Sequence, residues 1–167
     1  MQTPLSLRWQ ARPFRELDID ALYGVLKLRA EVFVVEQNCA YLDPDDKDRH
    51  PDALHLLGLA EDGTLAAYLR ILPPGLAFPQ ASFGRVLIAA PFRGRGLGEP
   101  LLREALREID RQWPGADVQI GAQAHLQDYY GRHGFVPCSE PFLEDDIPHV
   151  RMLRRAAAPA PAPGNAA

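Results

Sequence analysis

Residues 83–107 read FGRVLIAAPFRGRGLGEPLLREALR, and this stretch predicts a strand, a glycine-rich loop and an amphipathic helix in succession. Gly94, Gly96 and Gly98 alternate with other residues directly before the helix. A helix N-terminus offers free N–H groups and the positive end of the helix dipole, so it favours anions. Two arginines in the loop add donors that match phosphate oxygens. The stretch therefore predicts a phosphate site, with a helix start that merely happens to be glycine-rich as the alternative.

The spacing of this loop excludes two common phosphate-binding motifs. The dinucleotide motif needs G-x-G-x-x-G, whereas the loop has G-x-G-x-G. A P-loop continues from its last glycine into Lys-Ser or Lys-Thr, whereas Glu99 and Pro100 follow here. The ligand of this loop is thus expected to be a phosphate compound of another kind.

Length and composition predict one domain over residues 1–155, followed by an Ala/Pro-rich flexible tail over residues 156–167. The formal net charge of -4 gives no reason to expect nucleic-acid binding. No apolar run approaches the roughly 20 residues of a membrane span, and no apolar signal-peptide core is found, so we expect no membrane partner and a cytoplasmic location. Cys39 and Cys138 lack the spacing of metal ligands, so no metal is expected; buried thiols and a catalytic cysteine both stay open.

The remaining pattern predicts an α/β domain with a mixed, mostly antiparallel central sheet flanked by helices. Alternating or apolar runs predict strands at residues 5–10, 55–60, 65–71, 83–89, 117–123 and 149–153, with another beginning at 135. Asp18 is expected to cap a first helix, and residues 124–133 a short one. Residues 36–52 form an acidic loop, interpreted either as a solvated surface or as an acidic wall for a cationic substrate. Residues 142–148 are predicted to be a second acidic turn.

Several segments together resemble the GNAT superfamily of N-acetyltransferases. Arg93-x-x-Gly96-x-Gly98 is similar to the superfamily's pyrophosphate motif, and Tyr130-x-x-x-Gly134-Phe135 is similar to its later Tyr-x-x-x-Gly-Phe segment. More narrowly, about residues 5–153 resemble the ElaA-like branch. The segments that carry this resemblance are Leu28-Arg29-x-x-Val32-Phe33-Val34-Val35-Glu36-Gln37, Asp46-x-Asp48, His55-Leu56 at the start of the next strand, Gly84-Arg85-Val86, Ala122-Gln123 and Glu144-Asp145-x-Ile147-Pro148-His149. Asp146 departs from this branch, where glycine is expected.

The resemblance implies a GNAT-like fold and acetyl-CoA as co-substrate, but no particular acceptor. It implies a cofactor site made of Val86, Leu87, Ile88, Arg93, Gly94, Arg95, Gly96, Leu97 and Gly98. Tyr130 would protonate the departing thiolate, and the branch favours Glu36 and His149 in catalysis. A packing role for Tyr130 is the alternative. Homodimers are common in the superfamily, so a homodimer is possible here.

Acetyl transfer to an amine also needs a proton acceptor. Taking the proton from a lysine-like ammonium of pKa near 10.4 at pH 7 costs about 4.6 kcal/mol, from 3.4 pH units at 1.36 each. Beyond Glu36 and His149, the side chains suited to the acceptor site are His55, Arg85, Gln123 (for positioning) and Glu144, with structural roles open for each. Arg85 could equally pair with Glu36 or an acidic turn.

The sequence thus predicts acetyl transfer to a small-molecule or lysine-like primary amine. A non-catalytic acyl-CoA-binding or interaction domain that keeps the cofactor loop is the alternative. Acyl transfer to an oxygen or thiol stays open.

Overall fold

The computed structural model describes residues 5–157, and within this range the chain forms two antiparallel sheets and three α-helices. The strands are β1 (Arg8–Pro13), β2 (Leu54–Leu59), β3 (Leu65–Leu72), β4 (Ser82–Ile88), β5 (Val118–Gln123), β6 (Val136–Pro137), β7 (Phe142–Glu144) and β8 (Ile147–Arg154). The helices are α1 (Ile19–Arg29), which continues as a π-helical segment over Ala30–Glu36, α2 (Gly98–Gln112) and α3 (Gln127–Gly131). Short 3-10 turns lie at Phe14–Glu16, Asp46–Arg49, Ala90–Phe92 and Ala124–Leu126.

The two sheets meet along β4 and β5 but pair only where these strands begin. The first sheet has the order β1-β2-β3-β4, and in the second β8 pairs with β5 on one side and with β6 and β7 on the other. Over the described residues, β-bridging between the sheets is confined to a parallel bridge between Ala81 and Val118, where Gln119 N–H donates to the Ala81 carbonyl at 2.9 Å. Beyond this bridge β4 and β5 diverge. The α/β class with antiparallel sheets is confirmed, and the predicted single sheet is split.

A β-bulge interrupts β4 at Arg85. Arg70 pairs with Gly84, but Tyr68 pairs with Leu87, so β4 carries one extra residue between these pairs. Arg85 has φ of 54°, in the left-handed region that non-glycine residues rarely occupy. The bulge turns the Arg85 side chain toward the acidic loop and leaves the end of β4 beside the gap between the sheets.

Helix positions follow from capping and apolar periodicity. Asp18 accepts a hydrogen bond from Ala21 N–H at 2.7 Å, so the predicted cap of α1 is confirmed. Helix α2 buries one face, through Leu101, Leu102, Ala105, Leu106 and Ile109, in the main core between the sheets. A second core cluster, which includes Val25, Tyr68 and Leu87, packs α1 on the opposite face.

Some predicted boundaries were wrong because tertiary pairing sets them. β1 begins at Arg8 rather than at residue 5, since its register runs from Arg8 opposite Leu59 to Pro13 opposite Leu54. The predicted helix 124–133 is a 3-10 turn followed by the shorter α3. Of the predicted tail, residues 158–167 lie outside the described part. Over residues 5–157, no helix combines the length and apolar composition that a bilayer crossing needs.

The acidic loop is held by buried ion pairs. Arg29, which is fully buried, donates from Nε to Asp43 Oδ2 and from Nη1 to Asp48 Oδ1, each at 2.7 Å. Arg70 Nη1 donates to the same Asp48 oxygen at 2.8 Å. Asp43 and Asp48 are only 2% and 4% exposed. Both interpretations of this loop, as a solvated surface and as an acidic wall, are therefore wrong for these two residues, which neutralise arginines inside the fold.

The same network of ion pairs includes Arg85 in the β-bulge of β4. Arg85 Nε lies 2.8 Å from Asp43 Oδ1, and Arg85 Nη2 donates to the Asp43 carbonyl at 2.9 Å. Arg70 Nη1 also donates to Asp45 Oδ1 at 2.6 Å. Of the partners the sequence left open for Arg85, the acidic loop is therefore the one found. The network fixes the loop against β3 and β4.

The second acidic turn is the two-residue connection of a β-hairpin. Glu144 pairs with Ile147, so Asp145 and Asp146 alone link β7 to β8. Their φ angles are 49° and 62°, as a type I′ turn requires. The second central position of such a turn strongly favours glycine, so Asp146 is strained there.

We expect Asp146→Gly to raise the free energy of unfolding by about 0.5–1 kcal/mol, because glycine adopts a positive φ without the steric cost that Asp146 bears. Urea unfolding at constant pH measures the change. The control is Asp62→Gly, because Asp62 accepts a hydrogen bond from Thr64 N–H at 2.9 Å and its loss should destabilise instead. An Asp146→Gly variant less stable than the wild type would contradict the strained turn.

Candidate active site

A cavity of about 1010 Å³ opens where β4 and β5 diverge. It is bordered by β4 on one side, by β5 and the β7–β8 turn on the other, and by the starts of α2 and α3 at one end. The acidic loop also borders the cavity, through residues that include Cys39, Tyr41, Asp45 and Lys47. The divergence of the sheets therefore creates a groove that joins the glycine-rich loop to the acidic turn.

The glycine-rich loop has the backbone of an anion site. Gly94 and Gly96 have φ of 75° and 72°, so the loop turns tightly where side chains would be strained. No side chain caps the N-terminus of α2, and Pro100 in its first turn has no N–H to satisfy. The free N–H groups and the helix dipole at this end fit the pyrophosphate of an acyl-CoA.

The end of β4 offers backbone groups along the cavity. Ala89 N–H donates to the Ala66 carbonyl at 2.8 Å, so by strand alternation the N–H and C=O of Ile88 point away from β3, toward the gap. Val86, Leu87 and Ile88 all line the cavity. A pantetheine arm could pair with this open edge as an added strand would.

Among the predicted cofactor residues, those of β4, together with Arg93 and Gly98, line the cavity. Gly94, Arg95 and Gly96 lie in the exposed turn beside it. Leu97 is 4% exposed and is buried in the protein, so it anchors the loop rather than facing a ligand.

Arg93 and Glu36 form a two-bond ion pair. Arg93 donates from Nη1 to Glu36 Oε1, from Nη2 to Glu36 Oε2 at 2.8 Å, and from Nε to the Ile88 carbonyl at 3.0 Å. The hydrogen bonds from Arg93 hold the pKa of Glu36 below its usual range. Glu36 is not among the residues that line the cavity. A carboxylate with a lowered pKa, placed behind an arginine, is a poor proton acceptor, so the geometry speaks against Glu36 as the base.

Tyr130 lies at the α3 end of the cavity, beside Phe83 and Phe135. It is 5% exposed, and no described residue forms a hydrogen bond with its hydroxyl. Burial raises the pKa of Tyr130, and the neighbouring Tyr129 raises it further. The phenol therefore stays protonated at neutral pH and can act only as a proton donor.

His149 faces the cavity from β8 with a defined tautomer. Its Nδ1 lies 2.7 Å from the Ile147 carbonyl, which can only accept, so Nδ1 carries the proton. In the neutral ring Nε2 is therefore the nitrogen with the lone pair, and Glu144 Oε2 lies 3.5 Å from it. Phe142 stacks on the ring, and Gln123 is the cross-strand neighbour of His149 on β5. Glu144, Gln123 and His149 all line the cavity, and their assignment to the acceptor site stays a prediction.

His55 does not line the cavity, which corrects its assignment to acceptor binding. Its ring is 1% exposed, with Nδ1 2.7 Å from Tyr68 Oη and Nε2 2.9 Å from the Asp48 carbonyl. Burial lowers the pKa of His55. Arg85 does border the cavity, although its guanidinium is mostly engaged by the acidic loop.

Several cavity residues were missed from the sequence, namely Phe33, Gln37, Tyr41, Lys47, Arg70, Phe78, His125 and Tyr129. Arg70 could have been found from the sequence, because it is a charged residue within an apolar strand, the same feature that singled out Arg85. Phe33 and Gln37 lie in the segment 28–37 that resembles the ElaA-like branch, but this resemblance did not assign them to the site. The other residues gave no local signal, because they come together only in the tertiary fold. Among the described side chains, no three or more His, Cys, Asp or Glu residues cluster as metal ligands would.

The sequence was compared with models of known protein families and with known proteins, and the matches identify a family. The family model described as an acetyltransferase (GNAT) domain matches residues 43–155. Protein ElaA of Escherichia coli is 42% identical over 148 residues, which cover 89% of this chain and 96% of ElaA.

Solved structures agree with this sequence match. The crystal structure of an acyl-CoA N-acyltransferase from Pseudomonas aeruginosa superposes with a TM-score of 0.85 at 47% identity, covering 89% of this chain and 99% of that one. The crystal structure of Escherichia coli ElaA gives a TM-score of 0.83 at 41% identity, with the same coverage. The chain therefore belongs to the GNAT acetyltransferase family, among its ElaA-like members.

Proposed function

We propose that the protein transfers an acetyl group from acetyl-CoA to a primary amine by direct attack of the amine nitrogen on the thioester carbon. One observation carries the proposal: the open edge of β4, the uncapped start of α2, Tyr130 and His149 all border a single cavity. Membership of the GNAT family and the likeness to an acyl-CoA N-acyltransferase support the coarser activity, acyl-CoA-dependent N-acyl transfer.

The donor half of the cavity would hold acetyl-CoA. The N–H groups at the start of α2 would receive the pyrophosphate, with Arg93 adding positive charge beside it, and the open edge of β4 would pair with the pantetheine amides. The Ile88 N–H points into the gap, so it can donate to the thioester oxygen as that oxygen becomes negative. Backbone donors of this kind need no rearrangement during the reaction.

His149 would accept the proton that the ammonium must lose. Its Nε2 lone pair is available because Nδ1 is committed to the Ile147 carbonyl. Glu144, 3.5 Å from Nε2, would stabilise the imidazolium once the proton has arrived and would attract a cationic amine. Since the Glu144 side chain is 62% exposed, the proton can pass on to solvent.

The reaction forms the C–N bond and breaks the C–S bond. The bound ammonium loses one proton before attack, and the attacking nitrogen loses a second as the amide forms. Tyr130 delivers one proton to the departing sulfur and is reprotonated from the proton pool that His149 collects. The products are the N-acetylated amine, CoA as free thiol and one proton.

A thiol-release assay with acetyl-CoA and a panel of primary amines tests the activity. We expect thiol release that depends on the amine. Tight binding of acetyl-CoA without turnover on any amine would favour the alternative, a non-catalytic acyl-CoA-binding domain. The polar side chains of the acceptor half, His149 and Glu144, favour the enzyme over that alternative.

His149→Gln is expected to lower kcat/KM about a hundredfold at pH 7, because it removes the general base. The deficit should shrink as the pH approaches the amine's own pKa, near 10.4 for a lysine-like amine, since free amine then forms without help. The pH profile of kcat/KM measures this. His50→Gln is the matched control, because His50 accepts from Asp52 N–H outside the cavity. A His149→Gln variant that follows the wild type at every pH would remove His149 from the mechanism.

A further inference from the structure

Helix α3 contacts the first turn of α2 directly beside the proposed thiolate acid. Tyr129, the neighbour of Tyr130, donates a hydrogen bond from its hydroxyl to the Gly98 carbonyl at 2.6 Å. His133 Nε2 lies 2.6 Å from Glu99 Oε2, and the Arg132 guanidinium lies over the Tyr129 ring. The elements that would hold the phosphates and protonate the sulfur are thereby joined to each other.

The Tyr129 hydroxyl is suited to this contact at any pH of interest. Tyr129 is partly buried, and burial together with the charge of Glu99 raises its pKa to about 12. The phenol therefore remains a donor while the Gly98 carbonyl accepts. The ring packs edge-on against Tyr130, with centroids 5.0 Å apart, so a shift of Tyr129 would also move its neighbour.

The same contact restricts the residue at position 98. A Cβ built on Gly98 would lie 3.1 Å from the Tyr129 hydroxyl oxygen, closer than ordinary van der Waals contact. By contrast, a Cβ on Gly94 or Gly96 would meet nothing within 4 Å. Gly98 has a helical backbone rather than a positive φ, so what disfavours a side chain there is the limited space beside Tyr129 and not the backbone conformation.

We propose that Tyr129 is a positioning residue that sets the start of α2 relative to Tyr130, so that one acyl-CoA reaches both the phosphate site and the proton donor. The inference rests on the proposed function for the identity of the ligand. Tyr129 acts through Gly98 and takes no part in proton transfer. Its hydroxyl also narrows the space for a side chain at position 98, so that an alanine Cβ there would have to displace the ring or α2 by a few tenths of an ångström.

The test is a double-mutant cycle of Tyr129→Phe and Gly98→Ala, with the Kd for CoA measured by calorimetry. Tyr129→Phe should raise this Kd roughly fivefold, as expected for loss of one hydrogen bond that orders the site. Gly98→Ala should raise it at least as much, because the new Cβ displaces α2 or the ring. The double variant should bind CoA about as well as Tyr129→Phe alone, since removing the hydroxyl makes room for the Cβ.

Kinetics separate positioning from catalysis. For Tyr129→Phe we expect a higher KM for acetyl-CoA and a kcat within about twofold of the wild type at saturation, with an unchanged pH profile. Tyr23→Phe, on the exposed face of α1, is the matched control. If Gly98→Ala does not fold, the Tyr129→Phe measurements of Kd, KM and kcat decide alone.

Two results would overturn the inference. Additive losses of CoA affinity in the double variant would mean that Tyr129 and Gly98 act independently. A Tyr129→Phe variant with unchanged Kd for CoA and a collapsed kcat would make Tyr129 a participant in the chemistry. Absence of acetyl transfer to any amine would contradict the proposed function. The coupling between Tyr129 and Gly98 could still be measured in that case, because the Kd for CoA is determined without turnover.

Discussion

Replacing Tyr130 with phenylalanine is expected to lower kcat about a thousandfold while acetyl-CoA still binds, because general acid catalysis typically contributes between about a hundredfold and ten-thousandfold. The substitution removes one hydroxyl and retains the ring that packs against Phe83 and Phe135. No described residue loses a hydrogen-bond partner, so the fold should not be weakened. The loss should therefore appear in kcat rather than in stability.

The raised pKa of Tyr130 is compatible with this role. A phenol above pKa 10 would donate poorly to a thiolate in water, where thiols have pKa values of about 8.5. In the cavity, however, the burial that raises the pKa of the phenol also disfavours the thiolate anion, which raises the thiol's pKa as well. Burial thus shifts the pKa values of both groups in the same direction, which favours proton transfer from Tyr130 to the sulfur over that expected in water.

Steady-state kinetics at saturating acetyl-CoA and amine measure the effect of Tyr130→Phe, and calorimetry with CoA measures binding. Tyr23→Phe serves again as the control, since Tyr23 is 68% exposed on α1. An unchanged kcat in Tyr130→Phe would show that another group, or water, protonates the sulfur.

The largest loss of stability is expected from Asp48→Asn, about 3 kcal/mol, because removing one charge of a buried pair leaves the other uncompensated. Asp48 receives hydrogen bonds from both Arg29 and Arg70, which are themselves buried. An asparagine of the same size removes the negative charge, and its NH2 group cannot accept the hydrogen bonds that one of the two carboxylate oxygens now accepts. Chemical unfolding measures the difference, with Asp46→Asn as control because the Asp46 side chain is 95% exposed.

The pH dependence of stability gives an independent check on Asp48. Burial opposes its ionisation, but the hydrogen bonds from Arg29 and Arg70 outweigh this and lower its pKa from 3.8 to about 2. A lowered folded-state pKa adds stability above pH 3.8 that is lost as the pH falls through 2, amounting to about 2 kcal/mol at 1.36 kcal/mol per unit. The Asn variant should lack this part of the acid transition. Equal stability of the Asp48→Asn and Asp46→Asn variants would contradict the network.

Local patterns predicted the strand, loop and helix that border one end of the cavity. The apolar strand, the glycines and the following helix are contiguous in residues 83–107, so their proximity could be predicted from the sequence without knowledge of the tertiary fold. The Asp18 cap and the fold class followed from equally local signals. The family resemblance added Tyr130 and His149, which the cavity indeed brings to the same groove.

Contacts between residues that are far apart in the sequence could not be predicted from local patterns. Glu36 and Arg93 are 57 residues apart in the sequence, and no local pattern around either residue predicts their ion pair. Arg29 and Asp48 form a buried pair whose residues look like ordinary surface charges in sequence. His55 has the side chain of a catalytic base, but only the fold reveals that Tyr68 and the Asp48 carbonyl engage both of its nitrogens.

Quenched single-turnover analysis tests the central claim of direct acetyl transfer most directly. The protein is mixed with isotopically labelled acetyl-CoA and then with an amine that supports thiol release, and mass spectrometry follows the label in the amine and in the intact protein. Direct transfer predicts that labelled N-acetyl product forms at the rate of CoA release while the protein remains unlabelled. Release of CoA without acetylated amine, or label that first appears on the protein, for example on Cys39 in the cavity, would contradict it.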